Sequence, residues 1–295
     1  MSDFHSPVLL DELVSYIDPA DNDVILDATL GGGGYAKHIL SRYPKILRYI
    51  GLDQDQEAIN YVNNIIVDSR LNTYHLNFQQ FETVLTSTNI LPNKYIFDLG
   101  VSSYQLGQQE RGFSYMNNGP LDMRMDVLNN SLTAADIINT YSKENLADIF
   151  YKYGEEPKSR LLANHLVVAR SKKKFTETME LASFIHKTIY GAYTRKQQAV
   201  KRVFQSIRIA VNKELETIET TLPKVIDLMP SGGICVVVTF HSLEDRIVKN
   251  IIKQYLDVSP KVVLKLNKKV VKASKEELQL NSRSKSAKLR AFKKL

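Results

Sequence analysis

Asp23-Val24-Ile25-Leu26-Asp27-Ala28-Thr29-Leu30-Gly31-Gly32-Gly33-Gly34-Tyr35-Ala36 sets an apolar run directly before four glycines and a helical pattern that continues to Arg42. A short apolar run closed by a glycine turn reads as a strand buried on both faces, the kind found in parallel sheets. Gly31, Gly33 and Ala36 fit G-x-G-x-x-(G/A). In that turn the glycines let the backbone bend tightly and let a nucleotide approach the start of the helix. Asp53 stands twenty residues after Gly33, at the end of the next strand pattern, where a carboxylate can accept both hydroxyls of an adenosine ribose.

Outward from this turn the alternation continues. Leu47–Leu52, Leu71–Leu76 and Tyr95–Leu99 read as strands, and Gln56–Val67 and Phe81–Thr86 as helices. Strands alternating with helices at this spacing predict an α/β fold with a doubly wound, Rossmann-like parallel sheet. Ser6-Pro7 resembles an N-cap followed by proline at the first helical position, predicting a helix through Tyr16. From about Gln105 the pattern turns helical, with amphipathic stretches at Leu146–Tyr153 and Ser159–Val168. A long helix is predicted over Val200–Leu222, and the β-branched run Ile234–Phe240 returns to the sheet. The expected organisation is a sheet domain in two parts, residues 1–104 and 200–295, split by a helical insertion at 105–199. Beyond Pro260 a strand-like Val262–Leu266 precedes a basic tail.

The chain has 295 residues, 43% of them hydrophobic and 24% charged, which excludes a low-complexity or wholly disordered protein. No apolar run is long enough for a membrane span, and Met1–His5 lacks the basic and apolar regions of a secretory signal. A soluble cytoplasmic protein without membrane partners is expected. The single cysteine, Cys235, lies in an apolar run and reads as a buried thiol. The net charge of +7 is uneven: Val258–Leu295 holds twelve Lys/Arg against two Glu, leaving the rest at −3. A second basic cluster runs from Arg170 to Arg202. Two such segments are compatible with a nucleic-acid footprint and equally with solvated surface.

The glycine turn alone leaves the nucleotide open. Ala36-Lys37-His38 replaces the Gly-Lys-Ser/Thr of a triphosphate loop. NAD fits the glycines. Asp27 and Asp98, however, each end a strand beside the turn, where carboxylates would repel a pyrophosphate and suit the sulfonium and ammonium of S-adenosyl-L-methionine. No metal site is indicated: the six histidines are scattered and lack a His-x-x-x-His pair.

Eight stretches carry a family resemblance. His5–Leu10, Asp27–Tyr35, Asp98–Leu106, Arg111–Tyr115, Gly119–Asp126, Tyr153–Glu156, Phe204–Leu215 and Phe240–Arg246 occur in this order across the whole chain. Gly119-Pro120-Leu121-Asp122-Met123-Arg124-Met125-Asp126 and Phe240-His241-Ser242-Leu243-Glu244-Asp245-Arg246 are too long to arise by chance. Together they resemble the RsmH (MraW) family, the bacterial 16S rRNA cytidine-N4 methyltransferases. The resemblance implies a methyltransferase fold with an inserted helical domain. It also implies cofactor contacts at Gly33, Gly34, Tyr35, Asp53, Phe78, Asp98 and Gln105, and 16S rRNA of the small ribosomal subunit as partner. Tyr35 and Tyr104 depart from the family's usual His and Pro, and Gln198–Val203 departs from its His-Pro-Ala-Thr-Arg-Thr run.

The chemistry asks for an acceptor that polarises a poorly nucleophilic exocyclic amine. The backbone carbonyls of Leu99–Ser102 are one source, and His241 and Ser242, at the end of the returning strand, are side-chain candidates, against a structural reading of His241. Asp122, Arg124 and Arg246 are candidates for holding the splayed-out base, against ordinary ion pairing. A non-catalytic RNA-binding assembly factor and a nicotinamide oxidoreductase stay open as other readings, as does a homodimer.

Overall fold

The structure, a computed structural model, describes residues 7–189 and 193–295. By internal contacts the chain forms two compact units, residues 1–100 with 215–295, and residues 101–214. The sequence pattern sets the second boundary earlier, at 199.

The first unit opens with α1 (Leu10–Ile17), β1 (Val24–Asp27), α2 (Gly34–Arg42), β2 (Arg48–Asp53), α3 (Gln56–Ile65), β3 (Leu71–His75), α4 (Phe81–Thr88) and β4 (Lys94–Asp98). The second unit carries α5 (Ser103–Gly107), α6 (Ala134–Thr140), α7 (Lys143–Lys152), α8 (Ser159–Arg170), α9 (Thr178–Thr188) and α10 (Tyr193–Asn212). The chain then continues through α11 (Glu214–Leu228), β5 (Ile234–Thr239), α12 (Ser242–Asp257), β6 (Val263–Lys265), α13 (Lys275–Leu280) and β7 (Lys288–Lys294).

The seven strands make one sheet in the order β3-β2-β1-β4-β5-β7-β6. β1 to β5 run parallel, and β7 runs antiparallel to both of its neighbours. Every residue of β1 and of β5 is buried, as strands covered on both faces require. The core of this unit joins Leu13 and Ile17 of α1, Ile39 of α2, Val62 of α3 and Val236 of β5. The second unit has its own core, in which Ile137, Phe150, Leu162, Leu181, Val203 and Ile207 meet from five of its helices. No helix among the described residues is long and apolar enough to cross a membrane.

Three local expectations change. Ser6 lies outside the described residues, and α1 begins only at Leu10, after Leu9 in the left-handed region with φ 54°. The predicted helix Val200–Leu222 is two helices. Lys213, with φ 52°, breaks it, while the Asn212 side chain is drawn off to donate to Met123 O at 2.8 Å and to accept from Met125 N at 2.8 Å. Glu214 then turns back onto Arg208 through paired bonds of 2.8 Å.

The third change is the tail. Lys288–Lys294 inserts between β5 and β6, in register from Thr239↔Lys288 to Ile234↔Lys293. Its apolar residues Leu289, Ala291 and Phe292 are buried with at most 1% exposure. Charge is accommodated around them. Arg290 and Lys288 bond Asp245 at 2.7 and 3.1 Å. Lys294 Nζ donates to Ile226 O and Asp227 O at 2.6 and 2.7 Å, satisfying carbonyls in the last turn of α11. Cys235, fully buried on β5 between Tyr95 and Phe292, has its thiol pushed upward by burial.

Phe292→Ala is expected to cost about 3–5 kcal/mol, measured by urea unfolding, because the ring fills a closed core. A chain ended at Asn281 loses β7 entirely and should fail to fold. A soluble, cooperative truncated protein would show that the sheet closes without this strand.

Candidate active site

Parallel strands bring their carboxyl ends to one edge of the sheet, and three adjacent strands end there in an aspartate: Asp27 on β1, Asp53 on β2 and Asp98 on β4. Asp27 has no solvent exposure. It accepts from the Tyr49 hydroxyl at 2.8 Å and from Thr29 N at 3.2 Å. Burial nevertheless pushes its carboxyl up to about 7, the bonds from Tyr49 and Thr29 opposing and the charge of Asp53 adding to the shift. Asp53 accepts from Gly31 N on one oxygen at 2.7 Å and from Asp55 N on the other at 2.8 Å. It is held at about 6, again chiefly by burial. A carboxylate oxygen has two lone pairs, so each oxygen of Asp53 keeps room for one more donor.

Asp98 is the least satisfied of the three. Its backbone N–H is fixed by donation to the Thr29 hydroxyl at 2.6 Å. Its side-chain Oδ1 is shut from solvent and has no hydrogen-bond partner among the described residues. Burial raises it to about 7, with Arg283 pulling the other way and Asp27 and Glu244 adding to the rise. A buried acceptor left without a donor costs free energy and marks a place for a ligand cation or N–H.

The glycine turn lies beside these acids. Gly31 and Gly33 have φ of 51° and 72°. A Cβ at Gly33 would come within 2.9 Å of Val62, so side chains are excluded by strain and by packing alike. Gly33 caps α2, whose first amides have no intrahelical acceptor and face along the axis. The Tyr35 ring is buried and its hydroxyl donates to Val8 O at 2.5 Å, which leaves the backbone as the group it offers at the turn. Phe78 opens a short helical turn after β3. It is half-buried and meets Phe97 edge to face at 5.6 Å, so it is not a closed core position.

The remaining predicted residues have local partners. His241 caps α12, its Nδ1 accepting from Glu244 N at 3.4 Å, while Glu244 Oε2 accepts from Phe240 N at 2.7 Å. His241 Nε2 lies 3.1 Å from Glu244 Oε1. Ser242 and Arg246 are exposed on the first turns of α12. In the second unit, Gln105 Oε1 accepts from Ser102 N at 3.1 Å in a capping box. Asp122 and Arg124 grip each other through two bonds of 2.8 and 2.7 Å across Met123, whose φ is 61°. Of the second basic cluster, Arg202 is paired to buried Glu156 at 2.6 Å and Arg170 donates to Ile138 O and Tyr141 O. Sequence reasoning misses Tyr49, Thr29 and Arg283. Tyr49 and Arg283 act through partners brought by strand pairing or tertiary packing, which no local pattern signals; Thr29 lies inside the glycine-turn motif, but its hydroxyl meets Asp98 N only through the pairing of β1 and β4.

Sheet order, glycine turn and the row of acids define a Rossmann-like methyltransferase. The chain belongs to the MraW methylase family, whose pattern matches residues 2–295. S-adenosylmethionine is accordingly its cofactor. Among similar proteins, the ribosomal RNA small subunit methyltransferase H of Carboxydothermus hydrogenoformans is 40% identical over 309 residues, covering 99% of this chain and 98% of its own. The protein of that name from Elusimicrobium minutum is 41% identical over 293 residues, covering 99% and 98%. A solved rRNA methylase from Streptococcus thermophilus aligns over 100% of this chain and 99% of its own, with 9% identity and a TM-score of 0.46.

The raised acids make the stability of the unliganded protein pH-dependent. An acid whose folded value lies above its unfolded one binds more protons when folded. Its favourable contribution is therefore present below the unfolded value near 3.8 and lost as pH rises through about 7 for Asp27. The urea midpoint of unliganded protein is expected to carry such a falling component from about pH 5 to 7.5. Asp27→Asn should flatten it; identical pH profiles for the variant and the wild type would show Asp27 ionised throughout.

Proposed function

We propose that this chain transfers the methyl of S-adenosylmethionine to the exocyclic N4 of a cytidine in 16S rRNA, in the decoding region of the small ribosomal subunit. The observation that carries the reading is the edge where Asp27, Asp53 and the unpartnered Asp98 Oδ1 surround a left-handed glycine turn. Such a place rejects a pyrophosphate and suits a cationic nucleoside. The two relatives above, named for ribosomal RNA of the small subunit, support the substrate class. Cytidine N4 and the decoding region come from the motif resemblance.

In this reading the amides of Gly33, Gly34 and Tyr35 face the amino-acid part of the cofactor, and Asp53 takes the ribose hydroxyls on its remaining lone pairs. Phe78 lies along the adenine, and Asp98 accepts from the ammonium. Gln105 is kept as a cofactor contact on the resemblance alone. When bound, the cofactor supplies an electrophilic methyl on a sulfonium. The protein's task is then positioning: the cytosine amine has its lone pair drawn into the ring, so an aligned approach supplies most of the rate. The amine loses one proton as the new N–C bond forms and the methyl–sulfur bond breaks, its electron pair staying on sulfur. His241 and Ser242, at the carboxyl end of β5, are the groups assigned to it. Asp122, Arg124 and Arg246 are assigned to the RNA, and eight exposed lysines of the last segment (Lys261, Lys265, Lys268, Lys269, Lys272, Lys275, Lys285 and Lys293) offer the phosphate attraction.

Labelled methyl donor incubated with small subunits from cells lacking the enzyme is expected to place label in N4-methylcytidine. Label in another nucleoside would overturn the target base. No label, in a protein that binds the donor, would favour the assembly-factor reading. Asp53→Asn is expected to weaken donor binding by about 1.5–3 kcal/mol in calorimetry, since hydrogen bonds to a charged acceptor are lost; unchanged affinity would place the ribose elsewhere. Binding at pH 6.5 should also release protons, because a cation favours the ionised form of acids held at about 6 and 7. The proton count is read from enthalpies in two buffers.

A further inference from the structure

Arg283 belongs by sequence to the basic tail, yet the fold carries it to the site. The turn Ser282–Ser286 leads into β7, and because β7 runs antiparallel to β5, its first residue, Lys288, lies opposite Thr239 at the carboxyl edge of the sheet. Asp98 is opposite Val238, one residue earlier on β5. The turn is fastened at several points. Asn281 Oδ1 accepts from Arg283 N at 3.2 Å, and the buried Ser284 donates its hydroxyl to Asn281 O at 2.6 Å. One helix upstream, Glu277 accepts from Leu9 N at 2.8 Å, tying α13 to the segment before α1. From this platform the Arg283 guanidinium lies over the Phe240 ring, 5.8 Å from its centroid.

The charges around Asp98 give this placement a consequence. The charges of Asp27 and Glu244 add to the rise of the Asp98 carboxyl, Asp98 in turn helps to raise Tyr35, and the charge of Arg283 opposes the rise at Asp98. A buried carboxyl flanked by two acids is driven toward its neutral form, in which it cannot attract a cation. We propose that Arg283 is a positioning residue for the cofactor: its guanidinium, seated on Phe240, supplies the counter-charge that keeps the Asp98 carboxylate available to the cationic amino-acid end of the methyl donor. The proposal rests on the reading of Asp98 as a cofactor contact. It gives part of the terminal segment a role in donor binding separate from RNA attraction.

The test is calorimetric titration of the full chain with S-adenosylmethionine from about pH 5.5 to 8.5, for wild type, Arg283→Gln, Arg283→Lys, Phe240→Leu and Asp98→Asn. Wild-type affinity should rise with pH through the ionisation of Asp98. In Arg283→Gln the midpoint should move up by about one pH unit, the scale for losing a nearby opposite charge, with affinity at pH 7 falling several-fold. Arg283→Lys should bring the midpoint back toward wild type, and Phe240→Leu should shift it slightly in the same direction as Arg283→Gln. The Phe240 variant keeps the test decisive if Arg283→Gln does not fold. A loss of affinity by one factor at every pH, with the midpoint unmoved, overturns the proposal and leaves Arg283 a structural residue. Asp98→Asn separates the two ideas. If it binds the donor with wild-type affinity and pH profile, the cofactor reading of Asp98 fails. If it removes the part of the pH dependence centred near 7, leaving that of Asp53 near 6, while Arg283→Gln leaves the midpoint unchanged, only the role of Arg283 fails.

Discussion

Asp27 is held inside the sheet with no exposure to water, between the Tyr49 hydroxyl and the Thr29 amide. Burying a carboxyl there is unfavourable unless something compensates, and the neighbouring structure is arranged around that constraint. Thr29, whose amide bonds Asp27, accepts with its hydroxyl from Asp98 N and so fixes the end of β4. Asp53 ties the glycine turn through Gly31 N. Burial is the first cause of the raised protonation range in all three; the charge of Asp53 adds to the rise at Asp27, those of Asp27 and Glu244 to the rise at Asp98, and that of Asp55 to the rise at Asp53. Burial at this edge favours the protonated acids, and a bound cation would favour the ionised ones.

The seventh strand is the other half of the architecture. An antiparallel β7 between β5 and β6 brings the residues just before it to the carboxyl edge. A basic segment thereby divides its charges between two tasks. Arg283, Lys288, Arg290 and Lys294 face inward to a ring, to Asp245 or to helix carbonyls, whereas the lysines of the preceding loop remain exposed. Net charge along the sequence therefore overstates what is available to a polyanion. The same economy holds in the second unit, where Arg170 and Arg202 satisfy carbonyls and a buried glutamate.

Motif residues likewise divide between chemistry and construction. His241 and Glu244 form a reciprocal cap that starts α12. Asp122 and Arg124 close a loop on themselves, and Gln105 caps α5. A long matching motif tells which residues matter together. It does not separate those that meet a ligand from those that shape the backbone around it.

The sequence by itself determined the alternation of strands and helices, the glycine turn, the acids at the ends of β1, β2 and β4, and the switch to a helical segment. These are local signals: hydrophobic period, glycine spacing and a charged residue at the end of an apolar run all act within a few residues of one another. The tertiary structure alone decided the fate of the tail, the break at Lys213 and the place of Arg283. Lys288-Leu289-Arg290-Ala291 alternates charged and apolar side chains before Phe292-Lys293-Lys294 breaks the period, a pattern that also fits a solvated strand or an extended tail. It becomes a central strand because β5 and β6 offer two open edges whose backbone groups need partners. Arg283 then arrives over Phe240 at the carboxyl edge because strand direction, which no local pattern encodes, fixes which end of β7 reaches that edge.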